Sequence, residues 1–280
     1  MIKFEHSVFA LPFAMTAALL AWRDTGFALA HVPAKLGWII VAMVTARSAA
    51  MAFNRLLDQE IDARNPRTAT RHLPAGRLSR RFAWSFTLLA SVVFVLAAGQ
   101  LNPLCLVLSP VALAIILGYS FTKRFTSLSH LVLGFGLGIA PSAAWIAMRG
   151  SLDPRILWLT AAVTFWTAGF DIIYSCQDLD FDRRAGLHSL PARLGAHRAL
   201  LVSRLFHAAM ILCLGALVVT FELGALSWAG VALVAALLVY EHSLVAPTDL
   251  SRVNAAFFTV NGYVAVGFFL CWAADAYFWR

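Results

Sequence analysis

Charged residues are scarce in this chain of 280 residues. They make up 13% of the sequence, whereas soluble globular domains carry about 25%. None occurs from Phe82 to Thr122, a stretch long enough for two membrane spans that meet near Asn102 and Pro103. This scarcity excludes an ordinary soluble domain. Because 61% of the residues are hydrophobic, the sequence predicts an all-α protein that crosses a membrane many times.

Cysteine is also sparse, with four residues at positions Cys105, Cys176, Cys213 and Cys271. Their unrelated spacings exclude both a disulfide framework and a zinc site. The formal net charge is +8, but the cations occupy short loops between apolar runs, so membrane topology explains them better than nucleic acid does. We expect no cleaved signal or transit peptide, because a small-residue cleavage site and an Arg/Ser-rich leader are both absent.

Glycine-rich phosphate loops are missing as well, because the sequence contains no Gly-x-Gly-x-x-Gly or Walker-type motif. The segment Gly134-Phe-Gly-Leu-Gly138 lies within an apolar run instead. Small residues at this spacing indicate close packing between membrane helices.

Nine apolar runs are long enough to cross a membrane. They cover residues 7–27, 36–57, 82–100, 104–121, 128–148, 156–176, 200–221, 224–245 and 254–276. The loops after the second, fourth and sixth runs are rich in Arg and Lys, whereas the loops on the opposite side carry few. The positive-inside rule therefore predicts a multi-pass protein of the cytoplasmic (inner) membrane, with its N-terminus in the cytoplasm.

Two acidic signatures interrupt this apolar sequence. Asp58 and Asp62 lie four residues apart, and so do Asp178 and Asp182, so each pair shares one face of a helix. Mg²⁺ is usually held by a few carboxylates together with substrate phosphates. The four aspartates therefore predict Mg²⁺ bound against a diphosphate on the cytoplasmic side. We assign the neighbouring Asp180 to a solvated surface.

Each signature follows an apolar run and precedes an Arg-rich loop that contains Leu-Pro-Ala. This short similarity suggests two parallel halves, residues 1–127 and 128–280, within a single domain that covers residues 1–280.

Further polar residues continue both signatures into the membrane. Arg47 and Asn54 extend the helical stripe of the first signature, and Asp171 and Tyr174 extend that of the second. Charge within a membrane is costly, so both stripes are expected to face protein rather than lipid. Arg47 and Asp171 either bind substrate or form a buried ion pair, and both alternatives stay open at this point.

Tyr119 and Lys123 end the fourth apolar run on the same side as both signatures, also four residues apart. A Lys at the end of a span often extends to the interface for reasons of solvation alone. Two acidic sites on that side favour a diphosphate ligand instead. His6, close to the first run, is a weaker candidate for an acceptor site.

These motifs resemble the UbiA superfamily of membrane prenyltransferases. Asn54-x-x-x-Asp58-x-x-x-Asp62 is similar to the first aspartate motif of that family, and the segment from Asp171 to Asp182 is similar to the second. Tyr119-x-x-x-Lys123 resembles its short Tyr/Lys motif, and all three occur in family order. The resemblance implies nine transmembrane helices around a central cavity, with cytoplasmic loops that cap the active site.

The resemblance also implies roles for individual residues, whereas the role of Arg47 rests on its position alone. The implied catalytic residues are Asp58, Asp62, Asp171, Asp178 and Asp182, of which all but Asp171 bind Mg²⁺. The implied or inferred substrate-binding residues are Arg47, Asn54, Arg64, Arg71, Tyr119, Lys123 and Tyr174.

The sequence around Asp178 is similar to a subgroup labelled 4-hydroxybenzoate polyprenyltransferase-like. It implies transfer of a polyprenyl group from an allylic diphosphate to an aromatic hydroxy acid, 4-hydroxybenzoate or a dihydroxynaphthoate, in ubiquinone or menaquinone synthesis. Family members with haem, chlorophyllide or a lipid-linked sugar phosphate as acceptor are alternatives, as is a transporter for a cation or an anionic solute. The expected partners are the two substrates and the bilayer, with no nucleic acid and no required protein.

Overall fold

The computed structural model describes residues 9–278, which form a helical bundle. The first six helices are α1 (Leu11–Arg23), α2 (Val32–Leu57), α3 (Gln59–Arg64), α4 (Arg80–Leu101), α5 (Pro103–Thr122) and α6 (Ser129–Arg149). The second six are α7 (Leu157–Ser175), α8 (Leu179–Ala185), α9 (Leu190–Leu194), α10 (Ala196–Thr220), α11 (Ala225–Ser243) and α12 (Asn261–Phe278). Short 3₁₀ turns cover Pro154–Ile156 and Cys176–Asp178, and a π-helix covers Ala255–Val260.

Within the described range, eight helical segments are long and apolar enough to cross a membrane. They contain α2, α4, α5, α6, α7, α10, α11 and α12. Helix α1, which falls within the first predicted span, has 13 residues and rises only about 20 Å, less than the roughly 30 Å hydrocarbon core. The predicted all-helical multi-pass fold is confirmed, and the count of nine full-length spans is approximate.

Large apolar side chains cover the outside of the bundle. Leu88, Leu212 and Val239 are each more than two-thirds exposed. Such a surface would associate in water, whereas a bilayer solvates it and requires the backbone to be hydrogen-bonded internally, as it is in helices. The protein is therefore a multi-pass membrane protein.

Helix α1 lies inside the bundle, where it packs against α6 and α12. The ring of Phe13 stacks on Phe268 with centroids 4.5 Å apart and lies 4.9 Å from Trp166. This aromatic cluster joins the N-terminal helix to α7 and to the last helix. It forms part of the hydrophobic core of the bundle.

Helices α6 and α7 pack closely at two glycines. A Cβ atom built on Gly134 would lie 2.3 Å from the carbonyl oxygen of Thr164, and one on Gly138 would lie 2.1 Å from the hydroxyl of the same residue. Only glycine permits this approach, so the predicted small-residue packing is confirmed.

Both acidic signatures lie at a bend in the chain rather than on one uninterrupted helix. Asp58 separates α2 from α3 with φ −90° and ψ 3°, and Asp178 precedes α8 with φ −99° and ψ 6°. Across the first bend, the Asp58 backbone N–H donates to the Asn54 carbonyl oxygen, and the Asp62 backbone N–H donates to the Asp58 carbonyl oxygen. The stripe therefore continues on one side of the chain, although the straight helix that the spacing predicts is interrupted.

Candidate functional site

The two acidic signatures line one polar cavity of about 290 Å³ at one end of the bundle. Helices α2, α5, α6 and α7 form its walls, and the loops around α3, α8 and α9 close over it. Asp58, Asp62, Asp178 and Asp182 all contribute to its lining. Each pair spans the bend of its own segment, and the fold brings the two pairs together.

Asp58 is 2% exposed and is surrounded by donors from α2 and from the two residues that follow α5. The Lys123 ammonium contacts one carboxylate oxygen, and Arg124 Nη2 donates to the other at 3.0 Å. Asn54 Nδ2 donates to Asp58 Oδ2 at 3.1 Å. The two cations therefore offset the buried negative charge of this carboxylate.

Asp62 pairs with the loop that follows α3. Arg71 Nη1 donates to both carboxylate oxygens of Asp62, at 2.7 and 2.8 Å. Arg55 Nη1 lies 3.6 Å from the same carboxylate, and the Thr68 hydroxyl donates to the Asp62 carbonyl at 3.0 Å. The first signature therefore lies beneath a cationic loop.

The same loop crosses the cavity to the second signature. Arg67 Nε and Asn65 Nδ2 each donate to Asp178 Oδ1 at 2.9 Å, and Arg67 Nη1 donates to the Tyr174 hydroxyl at 3.2 Å. Burial disfavours the charge on Arg67, but its hydrogen bonds with Asp178 and the attraction of that carboxylate outweigh this effect and raise the pKa of the guanidinium above its usual value. The loop thus ties the two signatures together.

Asp182 has a weaker set of partners than the other three aspartates. The Ser189 hydroxyl at the start of α9 donates to Asp182 Oδ2 at 2.7 Å. No cation of the described chain forms an ion pair with this carboxylate. It is the carboxylate of the four with most capacity left for a ligand.

The inner end of the cavity contains Arg47, Tyr119 and Asp171. Asp171 pairs with His130 Nδ1 at 2.7 Å, and no ion pair joins it to Arg47 among residues 9–278. The Nε atom of Arg47 is buried and has no hydrogen-bond partner in the same range. The buried Arg47–Asp171 ion pair that the sequence left open is therefore absent there, and Arg47 retains a donor for a ligand.

An apolar cavity of about 310 Å³ adjoins this inner end. It lies between α2, α4, α5 and α6, and residues such as Ile39, Phe94 and Leu108 line it. Arg47 and Tyr119 line both cavities. The polar site thus continues directly into apolar space inside the bundle.

The structure places most predicted site residues at the polar cavity, including Asn54, Arg71, Tyr119, Lys123 and Tyr174. Arg64 is the exception, because it is exposed at the end of α3 and does not line the cavity. His6 lies outside the described residues.

Sequence reasoning missed several residues that contact the aspartates of the site. Arg67, Asn65 and Arg124 contact the aspartates directly. All three lie in the polar segments that follow α3 and α5, where composition alone does not separate cavity residues from surface residues.

The sequence profile of the UbiA prenyltransferase family matches residues 10–270. The chain belongs to the UbiA prenyltransferase family. A 4-hydroxybenzoate octaprenyltransferase of Vibrio atlanticus is 32% identical over 230 residues, covering 81% of this chain and 79% of the relative. The corresponding enzyme of Pseudoalteromonas translucida is 33% identical over 261 residues, covering 90% and 87%. The predicted family and its prenyltransferase class are confirmed, and the transporter alternative is not supported.

Solved UbiA homologues share the fold of this UbiA-family chain. An apo structure of a homologue from Aeropyrum pernix K1 is 36% identical with a TM-score of 0.88, covering 98% of this chain and 99% of that one. A homologue from Archaeoglobus fulgidus bound to DMAPP and Mg²⁺ is 17% identical with a TM-score of 0.74, covering 97% and 96%. The second comparison shows the fold alone.

Proposed function

We propose that this UbiA-family prenyltransferase transfers a polyprenyl group from an allylic diphosphate to an aromatic hydroxy acid, with 4-hydroxybenzoate as the favoured acceptor. The observation that carries the proposal is the polar cavity with two aspartate pairs that opens past Arg47 and Tyr119 into an apolar cavity. A diphosphate with an apolar tail matches this change in polarity. The names of the Vibrio and Pseudoalteromonas relatives support the choice of acceptor.

The donor set of the polar cavity fits Mg²⁺. No group of three or more His, Cys, Asp or Glu side chains within residues 9–278 is arranged to enclose a metal by itself. Mg²⁺ does not require one, because it commonly takes one or two carboxylates and completes its shell with water and substrate phosphates. We assign Asp58, Asp62, Asp178 and Asp182 to this role. A bound Mg²⁺ would supply positive charge where the diphosphate leaves.

The cations of the cavity are placed to bind the diphosphate. Lys123, Arg71 and Arg67 now pair with aspartates on opposite sides of the site, and all three line the same space. Arg is well suited to phosphate oxygens because its planar guanidinium donates two parallel hydrogen bonds. These side chains stabilise the negative charge that develops when the carbon–oxygen bond breaks, which is commonly a large catalytic contribution.

The adjoining apolar cavity protects the reacting prenyl group. The allylic carbon–oxygen bond breaks and its electron pair stays on the diphosphate, which leaves an allylic cation. A ring carbon next to the phenol oxygen supplies the electrons of the new carbon–carbon bond, and the ring proton then passes to the released diphosphate. Leu133 and Leu137, which line both cavities, and Phe170, which lines the polar one, exclude water that would otherwise capture the cation.

Two residues at the inner end match the two polar groups of the acceptor. The unpartnered Nε of Arg47 suits the carboxylate of an aromatic acid. Asp171, held by His130, can accept the hydrogen bond of the phenol. The acceptor ring would then lie between the diphosphate site and the apolar cavity.

We further propose that this site opens to the cytoplasmic side of the inner membrane. The Arg- and Lys-rich loops all follow helices that end near the polar cavity, whereas the opposite connections carry few cations. Positively charged loops of this length are retained in the cytoplasm.

The acceptor is tested by offering purified protein Mg²⁺ and geranyl or farnesyl diphosphate together with one aromatic acid at a time. The acids are 4-hydroxybenzoate, 1,4-dihydroxy-2-naphthoate and 1,4-dihydroxy-6-naphthoate, and mass spectrometry identifies the products. We expect a carbon-prenylated 4-hydroxybenzoate. A product with only a naphthoate would reassign the acceptor and favour menaquinone synthesis over ubiquinone synthesis. No product with any of the three would reject an aromatic acid acceptor and direct the search to haem, chlorophyllide or a lipid-linked sugar phosphate.

A further inference from the structure

Consecutive residues in the loop between α8 and α9 contact different parts of the cavity wall. We call residues 188–190 the tie segment. The His188 backbone N–H donates to the Lys123 carbonyl at 2.8 Å, next to the first acidic signature. The Ser189 hydroxyl donates to Asp182 at 2.7 Å in the second signature. The tie segment therefore touches both ends of the proposed diphosphate site.

The third residue of the tie segment reaches the inner end of the cavity through His130. The Leu190 N–H donates to His130 Nε2 at 3.3 Å. Because a backbone N–H can only donate, Nε2 must accept, and the proton of a neutral imidazole must lie on Nδ1. That Nδ1–H donates to Asp171 at 2.7 Å. One buried side chain thus joins the tie segment to the proposed acceptor-binding carboxylate.

The surroundings of His130 restrict it to this arrangement. The residue is 4% exposed, whereas the side chain of Asp171 is 25% exposed toward the cavity. Both ring nitrogens of His130 are occupied by the two bonds. A displacement of the tie segment would therefore change the hydrogen bond that orients Asp171.

We propose that His130 is a positioning residue that couples the diphosphate end of the cavity to the acceptor end. Occupation of the site at Asp182 fixes Ser189, Ser189 fixes the adjacent Leu190 N–H, and His130 transmits that position to Asp171. The acceptor then binds more tightly when the prenyl diphosphate is in place. This inference rests on the proposed function, because it takes Asp182 and Asp171 to face the two substrates.

Two variants each keep one half of the connection. In His130→Asn the side-chain amide can donate to Asp171 from the position of Nδ1, but it does not reach Leu190. In His130→Gln the side-chain oxygen can accept from Leu190, but the donor to Asp171 is lost. Neither variant changes a residue assigned to metal or substrate.

The first experiment measures the dissociation constant of 4-hydroxybenzoate by calorimetry, without and with saturating Mg²⁺ and geranyl thiolodiphosphate, an unreactive analogue. We expect the analogue to strengthen acceptor binding at least about fivefold in the unmodified protein, the lower range of coupling between sites. In both His130 variants this ratio should fall close to one, while each variant still binds the analogue alone as the unmodified protein does. A purely structural role of His130 would lower the affinity for 4-hydroxybenzoate equally without and with the analogue. The ratio of the two dissociation constants would then stay as in the unmodified protein, and that result would overturn the proposal.

The second experiment requires no substrate. Asp171→Leu removes the anchor of His130, and we expect the amide exchange of the peptide that contains Leu190 to accelerate at least about threefold, as the loss of one hydrogen bond permits. Thr167→Val is the matched control one turn away on α7, because it removes a buried hydroxyl that no residue of the described chain binds. In Thr167→Val the amide exchange of the Leu190 peptide should equal that of the unmodified protein. Equal exchange at Leu190 in Asp171→Leu and in the unmodified protein would refute the connection through His130.

The two experiments separate failure of the coupling from failure of the proposed function. If the unmodified protein does not bind 4-hydroxybenzoate at all, the proposed acceptor is wrong, and the exchange measurement alone decides whether His130 joins Leu190 to Asp171. If the acceptor binds and the ratio survives in either variant, the acceptor is right and the coupling through His130 is wrong.

Discussion

At the scale of single residues, the cavity balances each buried aspartate with hydrogen-bond donors. Asp58 contacts Lys123 and Arg124, whereas Asp178 contacts Arg67. Removing the cations beside a buried or half-buried carboxylate destabilises the folded protein, so these contacts keep the site folded before substrate binds. Under the proposed function, Lys123 and Arg67 would exchange these carboxylate oxygens for phosphate oxygens within the polar cavity.

We expect Asp58→Ala and Asp178→Ala each to lower kcat/KM at least about a hundredfold, a typical loss when one group that stabilises developing charge is removed. Each change removes one carboxylate of a proposed Mg²⁺ site and leaves a cation without its partner. Turnover is measured by diphosphate release and product mass in detergent, after gel filtration has shown that the variants fold.

Asp180→Ala is the matched control within the second signature, because Asp180 is exposed and does not line the cavity. We expect turnover close to that of the unmodified protein. Near-normal activity in Asp58→Ala or Asp178→Ala would contradict the two-site scheme, and a comparable loss in Asp180→Ala would show that the effect is not specific to the cavity.

We expect Arg47→Met to raise the KM for 4-hydroxybenzoate about thirtyfold or more, because a desolvated charge pair contributes roughly 2–5 kcal/mol when one partner is removed. The KM for the prenyl diphosphate should change little. Steady-state kinetics with each substrate varied in turn would measure both values. The methyl ester of the acceptor is the control because it lacks the carboxylate. Its KM should differ little between Arg47→Met and the unmodified protein. A rise in the diphosphate KM alone would assign Arg47 to the other substrate.

The residues of the site differ in how readily a sequence reveals them. The four aspartates are evident because carboxylates beside apolar membrane runs are costly and rare, and here they recur twice at a four-residue spacing. Arg64 and Arg67 lie in the same polar region, yet only Arg67 turns into the cavity after α3 ends. Which of two nearby arginines faces the site depends on the path of the loop, and no periodicity encodes that path.

At the scale of helices, the contact between α6 and α7 positions His130 and Asp171 on facing helices. We expect Gly134→Ala to destabilise the protein by about 1–3 kcal/mol, because its methyl group would overlap the Thr164 carbonyl and force the helices apart. Thermal unfolding in detergent would show this as a lower Tm.

Gly136→Ala is the control on the same helix, because a Cβ atom there has no neighbour within 4 Å. Its Tm should equal that of the unmodified protein or exceed it slightly, since alanine favours a helix over glycine. Equal Tm values for the two variants would contradict the close packing of α6 on α7.

Hydropathy predicted the long helices well because a membrane allows few other spanning structures. It overestimated the first one, since the apolar run around α1 includes residues that form turns next to the 13-residue helix Leu11–Arg23. It also missed the bends at Asp58 and Asp178. There the chain leaves helical geometry while donors from neighbouring segments hold the carboxylates, and a local pattern does not contain those tertiary contacts.

At the scale of the whole molecule, the proposed orientation makes a prediction about accessibility in intact cells. A membrane-impermeant maleimide should label Ser151→Cys, an exposed position between α6 and α7, and should not label Arg77→Cys between α3 and α4 until the membrane is permeabilised. The unmodified protein measures the background from its four cysteines. The reverse labelling pattern would place the polar cavity on the outer side.

The junction of the two cavities is the feature that sequence could not supply. The polar cavity depends on α2, α5, α6 and α7, and the apolar one depends on α2, α4, α5 and α6. Arg47 and Tyr119, two of the residues that line both cavities, are far apart in sequence. Only the packed bundle therefore shows that the proposed diphosphate site and tail site are continuous. The suggested similarity of the two halves remains a prediction.

The measurement that tests this account most directly is a structure of the protein with Mg²⁺ and geranyl thiolodiphosphate. We predict the diphosphate between the pair Asp58 and Asp62 and the pair Asp178 and Asp182, with the prenyl tail passing Arg47 and Tyr119 into the apolar cavity. A diphosphate bound outside the polar cavity, or a tail that leaves it by another route, would contradict the continuity of the two cavities on which the proposed function depends.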